Sequence, residues 1–311
     1  MQLSLVIPLL NEAESLPILY EQILAGCKTA QITEFEILFI DDGSTDNSYQ
    51  VISDLASKDS KVKCIRFRKN YGKSAGLAVG FEHATGDYVI TMDADLQDDP
   101  AEIPNLIDKL KTENLDLVSG WKKIRHDPVS KTAPSRIFNW VTGKMVSLPL
   151  HDFNCGLKIY RNDVIKEVHV YGELHRYVPA LAHLSGFKVG ELIVTHHPRK
   201  FGKSKFGMDR FLKGFLDLST VLFLSRYMRR PLHFFGGWGI LFFLIGLAIC
   251  TWLTIGWFMG EIAVSKRPIL FLGIMLIILG IQFMSTGFLG EMLTKIYSRS
   301  ETYAIREKKN L

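Results

Sequence analysis

Cysteine is scarce in this 311-residue chain, and its few cysteines lack the spacing of a metal module or a disulfide framework. The four thiols, Cys27, Cys64, Cys155 and Cys250, lie far apart. A small disulfide-stapled scaffold and a Cys-x-x-Cys zinc module are therefore excluded. The spacing favours free thiols in a reducing compartment.

Glycine-rich phosphate loops are also missing. The sequence contains no G-x-x-x-x-G-K-[ST] motif, and no G-x-G-x-x-G motif follows the first predicted strand. Such loops hold nucleotide phosphates with backbone N–H groups. If this protein binds a nucleotide, a metal ion and basic side chains must hold the phosphates instead.

Charged residues are absent from two long stretches, Phe234 to Met259 and Ile269 to Gly290. A membrane-spanning helix needs about 20 apolar residues, and both stretches provide them. The alternative is a pair of helices buried in a large soluble core, but charge-free runs of this length are rare there. The segment 260–268 between them predicts a tight hairpin loop.

Basic residues are concentrated on the outer sides of the two predicted spans, whereas the loop between them has Lys266 and Arg267 alone. The positive-inside rule therefore predicts a multi-pass inner (plasma) membrane protein whose N-terminal domain and C-terminal tail are cytoplasmic. The flanking basic residues are Arg226, Arg229, Arg230, Lys295, Arg299, Arg306, Lys308 and Lys309.

The N-terminal apolar run has no basic segment before it and stops at Asn11-Glu12, which predicts a strand rather than a signal peptide. Apolar residues recur at helical spacing over 208–228 and end in arginines, as in helices that lie on a membrane surface. We therefore expect a cytoplasmic α/β domain (1–206), an amphipathic helix (207–231), a transmembrane hairpin (232–293) and a basic cytoplasmic tail (294–311).

Strands alternate with helices in the N-terminal domain. Apolar runs predict strands over 3–7, 35–40, 62–67, 88–92 and 116–121, so βαβ units and a parallel sheet are expected. Ligands of such sheets bind beyond the carboxyl ends of the strands. Three strands end there in polar residues: Asn11-Glu12, Asp41-Asp42-Gly43-Ser44 and Asp93-Ala94-Asp95.

Asp93 and Asp95 are the strongest candidate ligands. In extended backbone, residues two apart point to the same side of the chain. Paired carboxylates suit Mg²⁺ or Mn²⁺, with water and a substrate phosphate completing the shell. Taken alone, this Asp-x-Asp is explained at least as well by an acidic turn that caps the helix starting near Pro100.

Four motifs, taken in order, favour the metal site over the capping turn. Together they resemble those of a family 2 glycosyltransferase of GT-A fold. The resemblance is to the polyisoprenyl-phosphate glycosyltransferase branch that includes dolichyl-phosphate mannose synthase, in its membrane-anchored bacterial form, and it covers the whole chain. Each motif is weak alone, but the ordered set is specific. The motifs are Val6-Ile7-Pro8-Leu9-Leu10-Asn11-Glu12, Asp41-Asp42-Gly43-Ser44, Asp93-Ala94-Asp95-Leu96-Gln97-Asp98-Asp99-Pro100 and Arg199-Lys200-Phe201-Gly202-Lys203-Ser204-Lys205.

The resemblance implies a GT-A Rossmann-like fold with a nucleotide site and a metal site. When bound, Mg²⁺ or Mn²⁺ would act as a Lewis acid on the leaving nucleoside diphosphate. For Asp42, Ser44 and Asp46, turn and cap chemistry is as good an explanation as ligand contact. Asp98 and Asp99 are expected at the start of the next helix. The implied ligands are Pro8, Asn11, Glu12 and Asp41 for the nucleoside, and Asp93, Asp95 and Gln97 for the metal.

In this family two arginines hold the acceptor lipid phosphate. Arg136 fits the second, whereas the first position is Lys122 or Arg125, and lysine lacks the bidentate fork. The alternative is a basic loop that faces solvent or lipid headgroups. The basic loop with Arg199, Ser204 and Lys205 is implied to fold over the diphosphate, or to lie on anionic lipid.

Asp152 matches an active-site aspartate of the family, at the predicted edge of a strand. Because a phosphate acceptor is already ionised, Asp152 is expected to orient a substrate rather than to act as a base. Processive family 2 enzymes carry Gln-x-x-Arg-Trp where this chain has His175-Arg176-Tyr177, which argues for a single transfer. His175 is otherwise a capping or core histidine.

The sequence therefore predicts an inverting, metal-dependent glycosyltransferase that moves one sugar from a nucleoside-diphosphate sugar to polyprenyl (undecaprenyl) phosphate. UDP-glucose and UDP-N-acetylhexosamine are candidate donors. No nucleic acid partner is expected, and glycines in the spans allow close helix packing or a homo-oligomer. The alternatives are a family 2 enzyme acting on a saccharide hydroxyl or polymer, and a catalytically idle membrane scaffold.

Overall fold

A computed structural model describes residues 2–123, 139–172, 174–198, 231–260 and 268–297. These residues form two units, an α/β domain and a pair of long apolar helices. The predicted amphipathic helix up to residue 230, the basic loop at 199–205 and the predicted C-terminal tail beyond Tyr297 lie outside the described residues, and the first four residues of that tail continue the second long helix.

The α/β domain is built on a seven-stranded sheet. Across the sheet the strand order is β3-β2-β1-β4-β6-β5-β7. All five predicted strands are present, close to their predicted limits, and two more follow. The strands are β1 (Leu3–Leu9), β2 (Phe35–Asp41), β3 (Val62–Arg66), β4 (Tyr88–Thr91), β5 (Leu117–Trp121), β6 (Lys158–Arg161) and β7 (Val189–Ile193).

The sheet is mixed rather than parallel, so the prediction of a parallel sheet was wrong for one strand. β6 pairs antiparallel with both β4 and β5, whereas the other strand pairs are parallel. In this register Thr91, the last residue of β4, lies opposite Lys158, the first residue of β6. β6 therefore brings its amino end to the edge where the other strands have their carboxyl ends.

Helices cover both faces of the sheet because side chains along a strand alternate between its faces. On one face Ile7 and Phe39 pack with Leu19 of the first helix. On the other face Val6 and Ile40 pack with helices that follow β3 and β6. The helices with both ends described are α1 (Leu16–Thr29), α2 (Ser48–Lys58), α3 (Lys73–His83), α4 (Ile103–Thr112), α5 (Asn162–Glu167) and α6 (Val178–Leu184), with 3-10 turns at Pro100–Glu102 and Leu174–Arg176; residues 139–146 are helical as well.

Small residues let α3 lie directly on β1. A Cβ on Gly80 would come within 2.2 Å of Val6, and one on Gly76 within 3.0 Å of Pro8. This close packing fixes the start of α3 near the carboxyl end of β1. Lys73, the first residue of α3, is thereby held at the ligand edge of the sheet.

The second unit consists of α7 (Pro231–Phe258) and α8 (Pro268–Tyr297), which contain the two predicted spans. Both helices are long and apolar enough to cross a membrane, and most of their surface is unburied, with Phe271 74% exposed. Long apolar helices with exposed surfaces are typical of membrane spans. Glycines bring the helices together, since a Cβ on Gly246 would lie 2.6 Å from the Gly273 carbonyl oxygen.

Candidate active site

Polar residues from separate parts of the chain meet at one edge of the sheet. Asn11, Asp42 and Asp93 follow the carboxyl ends of β1, β2 and β4. Lys122 follows β5, and Lys158 begins β6 at the same edge. The ends of β1, β2 and β4 therefore meet at one edge, as predicted. Lys122 and Lys158 lie at the same edge.

The loops after β1 and β2 are locked to each other through Asn11. The Asn11 N–H donates to Ser44 Oγ at 2.9 Å, and the Thr45 N–H donates to Asn11 Oδ1 at 2.8 Å. Asn11 is in the left-handed region with φ 59°, which asparagine tolerates better than most residues. Glu12 is held in the same way, since its N–H donates to Ser48 Oγ at 2.8 Å.

Asp41, the last residue of β2, and Asp42, which follows it, hold the surrounding loops in place through hydrogen bonds. Asp41 is fully buried and accepts the Ser44 N–H at 2.8 Å, and Arg66 Nε lies 3.3 Å from its other oxygen. Asp42 accepts the Tyr71 and Gly72 N–H groups at 2.7 and 2.9 Å, which anchors the loop before α3. Turn and cap chemistry is thus confirmed for Asp42. It is confirmed likewise for Asp46, which accepts the Ser48 N–H at 3.0 Å, whereas Ser44 Oγ accepts the Asn11 N–H from the neighbouring loop and caps none of the described helices.

Asp93 lies at the centre of the edge. Its Oδ1 forms an ion pair with Lys73, and its own N–H donates to Asp98 Oδ2 at 3.1 Å. Gly156 packs against it so closely that a Cβ there would lie 2.7 Å from the Asp93 carboxylate. The Asp93 carboxylate is one-third exposed, so a ligand in the cleft can reach it.

Lysines control the charge of Asp93. Burial alone would raise the pKa of this carboxyl, but Lys73, Lys122 and Lys158 outweigh burial and lower it. The Lys158 pKa is itself lowered, chiefly by burial, and its ammonium donates to the Cys155 carbonyl oxygen. Asp93 is therefore an ionised carboxylate with three cations around it.

Asp95 lies in a turn, so the extended Asp93–Asp95 backbone assumed from the sequence is wrong. β4 ends at Thr91, and Leu96 has φ 61°. The turn is closed by the Gln97 N–H, which donates to Asp95 Oδ1 at 3.2 Å. The turn means that Asp93 and Asp95 do not alternate as in a strand. Asp93, Asp95 and Gln97 all lie in the loop after β4.

The donor atoms fit a hard divalent cation. Within the described ranges, no three His, Cys, Asp or Glu side chains cluster as a metal site. Asp93, Asp95 and Gln97 offer two carboxylates and an amide oxygen, a set that needs substrate oxygens or water to complete it, as is usual for Mg²⁺. Asp93, one of these candidate metal ligands, already forms an ion pair with the Lys73 ammonium.

Asp98 differs from its prediction. Its carboxylate is 1% exposed and lies 2.7 Å from Lys122 Nζ, rather than capping the next helix. Burial would lower the pKa of Lys122, but the charge of Asp98 outweighs it and raises that pKa. The predicted capping role belongs to Asp99 alone, which accepts the Ala101 N–H at 2.9 Å.

Asp152 is buried and lies six residues before β6, so it is not at the strand edge as predicted. Its Oδ1 accepts the Asn154 N–H at 3.1 Å, and its carbonyl oxygen accepts the Ser119 hydroxyl at 3.2 Å. These bonds hold the segment that leads to Gly156 and the Asp93 cleft. Asp152 thus supports the wall of this cleft.

Lys73 and Lys158, which were not predicted from the sequence, line a cleft with Asp93, Asn154 and His175. The signal available was the Gly72-Lys73-Ser74 run at a helix start. His175 Nδ1 lies 2.9 Å from Ser74 Oγ, and burial, with Lys73 and Arg176 nearby, lowers its pKa to about 2. His175 is thus a neutral histidine that holds the start of α3.

Five predicted site residues lie outside the described residues, and their roles stay predictions. They are the candidate ligands of the acceptor phosphate and of the diphosphate. They are Arg125, Arg136, Arg199, Ser204 and Lys205.

Comparison with known proteins places the chain in a family. The family model for glycosyl transferase family 2 matches residues 4–168. The chain is 35% identical to dodecaprenyl-phosphate galacturonate synthase of Rhizobium johnstonii, over 99% of this chain and 93% of that protein. It is 32% identical to undecaprenyl-phosphate 4-deoxy-4-formamido-L-arabinose transferase of Sodalis glossinidius, over 96% of this chain and 90% of that protein.

Solved structures agree on the fold. Mannosyl-3-phosphoglycerate synthase from Rubrobacter xylanophilus superposes with a TM-score of 0.57 at 13% identity, covering 72% of this chain and 74% of that one. Glucosyl-3-phosphoglycerate synthase from Mycobacterium tuberculosis, solved with Mn²⁺, UDP and phosphoglyceric acid, gives 0.53 at 15% identity, covering 72% and 78%. At these identities the likeness concerns the fold alone. The family match and the full-length relatives together place this chain in glycosyl transferase family 2, and it is a glycosyltransferase.

Proposed function

We propose that this protein transfers one sugar from a nucleoside-diphosphate sugar to polyprenyl phosphate, at the cytoplasmic face of the plasma membrane. The observation that carries the proposal is the length of the similarity. Relatives named for transfer to dodecaprenyl and undecaprenyl phosphate match 99% and 96% of the chain, including the part that contains the apolar helix pair. A membrane-bound lipid is the substrate that such helices suit.

The donor binds at the edge of the sheet. The nucleoside lies near Pro8, Asn11, Glu12 and Asp41, and its diphosphate reaches the Asp93 cleft. Asp93, Asp95 and Gln97 would hold Mg²⁺ or Mn²⁺, which when bound neutralises charge on the leaving diphosphate. Lowering of the Asp93 pKa by the surrounding lysines supports this role, because the carboxylate stays ionised.

The acceptor needs no general base. Its phosphate is already an anion at neutral pH, so an oxygen of that phosphate attacks the anomeric carbon directly. Attack from the face opposite the diphosphate inverts the anomeric centre. Asp152 keeps the cleft in shape, in agreement with its bonds to Asn154 and Ser119.

Arg125 and Arg136 hold the acceptor phosphate in this proposal. Lys122, the other candidate for the first position, already has the buried carboxylate of Asp98 as its partner. An arginine also offers the two parallel N–H donors that a phosphate prefers. We therefore assign the first position to Arg125.

The identity of the donor sugar is tested by a screen. Purified full-length protein in detergent is incubated with undecaprenyl phosphate, Mg²⁺ or Mn²⁺, and one labelled donor at a time. The donors are UDP-glucose, UDP-N-acetylhexosamine, a UDP-uronic acid and UDP-4-deoxy-4-formamido-arabinose, the last two suggested by the names of the relatives. We expect label in the lipid extract with one donor and none with the Asp93→Asn variant.

Two other outcomes of the screen would overturn the proposal. Label confined to free saccharide or polymer would make the protein a family 2 enzyme that acts on a hydroxyl group. Absence of turnover with every donor and both metals would favour a membrane scaffold that keeps the fold without the reaction.

A further inference from the structure

The backbone on both sides of Lys73 is tied down. Just before it, the Tyr71 and Gly72 N–H groups donate to the Asp42 carboxylate at 2.7 and 2.9 Å. Just after it, Ser74 Oγ lies 2.9 Å from His175 Nδ1 and accepts the His175 N–H at 3.2 Å. The backbone position of Lys73 is therefore fixed, and its side chain forms the ion pair with Asp93 from that position.

Three lysines lie around Asp93, and they differ in what holds them. Lys122 is 13% exposed and bound to the buried Asp98 carboxylate. Lys158 is 3% exposed and donates to the Cys155 carbonyl oxygen. Lys73 is 33% exposed, and its described ion-pair partner is Asp93 itself. Of these three, Lys73 alone can leave the carboxylate by a side-chain rotation into the cleft.

We propose that Lys73 is an internal cation that neutralises Asp93 in the donor-free enzyme and is displaced when a divalent ion arrives with the donor. This inference rests on the proposed function in one respect, which is that Asp93 is a metal ligand. Two cations compete for one carboxylate, so the metal alone binds weakly. Once displaced, the ammonium lies beside the incoming diphosphate and stabilises it. Metal and donor are then bound cooperatively, since each improves the affinity of the other.

The test compares Lys73→Met with the wild-type protein, both full-length in detergent. Mn²⁺ is added without nucleotide, and free Mn²⁺ is measured by electron paramagnetic resonance. We expect Lys73→Met to bind Mn²⁺ about two- to fivefold more tightly, the range set by a partly exposed charge pair. Lys69→Met is the matched control, because Lys69 is exposed in the preceding loop and contacts Tyr71 instead. It should leave the affinity unchanged.

A second titration adds saturating UDP. In the wild-type protein UDP should strengthen Mn²⁺ binding markedly, and in Lys73→Met this strengthening should fall severalfold. A side chain that merely supported the fold would weaken both titrations together. A rise in metal-only affinity together with a smaller strengthening by UDP is specific to the proposed exchange.

Several outcomes would overturn the inference. Lys73→Met binding Mn²⁺ no more tightly than wild type would do so, as would Asp93→Asn leaving Mn²⁺ binding intact. Circular dichroism checks folding, Lys73→Gln replaces the Met variant should the latter unfold, and Lys73→Arg, which keeps the charge, should stay close to wild type. Failure of sugar transfer to lipid, with the Mn²⁺ changes as expected, would reject the proposed function and leave this inference standing.

Discussion

The ammonium of Lys122 lies 2.7 Å from a carboxylate oxygen of Asp98, and the two side chains are 13% and 1% exposed. The same Asp98 carboxylate accepts the Asp93 N–H through its other oxygen. Lys122 is thus part of the support of the Asp93 cleft. The ionic partner of this candidate phosphate ligand is therefore the Asp98 carboxylate.

Replacing Asp98 should destabilise the protein strongly. Asp98→Asn leaves Lys122 buried without its carboxylate, which should lower the free energy of unfolding by about 3 kcal/mol or more. Urea unfolding of the full chain in detergent measures this. Asp99→Asn, an exchange at the neighbouring cap, is the control and should cost less than about 1 kcal/mol. Equal stability of the two variants would show that the ion pair is not formed.

Gly156 should tolerate no side chain. A Cβ at this position would lie 2.7 Å from Asp93 Cγ and 2.7 Å from Asp98 Oδ2, so Gly156→Ala must displace one carboxylate. Misplacement of this size should lower kcat/KM for sugar transfer about 100-fold. Gly237→Ala is the control, because nothing lies within 4 Å of its Cβ position. Transfer by Gly156→Ala at the wild-type rate would mean that the Asp93 position is not critical.

The helix pair should depend on glycine at its contact. A Cβ on Gly246 would lie 2.6 Å from the Gly273 carbonyl oxygen, a backbone atom that cannot rotate away. Gly246→Leu should therefore lower the Tm in detergent, by the equivalent of about 1–3 kcal/mol of overpacking. Gly237→Leu, whose Cβ has no atom within 4 Å, should leave the Tm near that of wild type. A Gly246→Leu protein as stable as wild type would contradict the observed contact.

Acid stability should depend on Glu36. This buried carboxylate accepts the Ser4 hydroxyl at 2.5 Å and the Thr85 N–H at 2.8 Å, and Lys63 Nζ lies 2.5 Å from it. Burial would raise the pKa of Glu36, but these partners, with Lys63 first, outweigh it and lower that pKa from 4.5 to about 2. Because the folded-state pKa is depressed, the stabilisation is full above about pH 4.5 and is lost as the pH falls towards 2.

Glu36→Gln isolates this effect. The variant should have a lower Tm than wild type at pH 7, and the difference should shrink between pH 4.5 and 2 as Glu36 becomes protonated. Thermal unfolding in matched buffers measures it, with Glu34→Gln, a substitution at a nearby exposed position, as the control. A Tm difference that stays constant over this range would mean that the partners of Glu36 do not lower its pKa.

Local patterns were enough to predict most of the sheet. The first five strands are apolar runs bounded by turn residues, and their predicted limits differ from the observed ones by two residues at most, as for β1, which ends at Leu9 rather than Ile7. β7 has the intermediate burial of an edge strand, so its apolar signal is weak and it was missed. The direction of β6 is not encoded in its four residues, because it depends on the route of the chain that precedes them.

The sequence by itself determined the family, the two apolar helices and the acidic loop after β4, since each follows from residue types at short spacing. Tertiary structure decided how the charges are paired. Lys73 lies 20 residues before Asp93, and Lys122 lies 24 residues after Asp98, yet each pair is in contact. Which lysine meets which carboxylate depends on which strand ends are neighbours, and on the antiparallel β6 that brings Lys158 to the same edge. Buried charges must find partners within a few ångströms, and only the packed sheet fixes those distances.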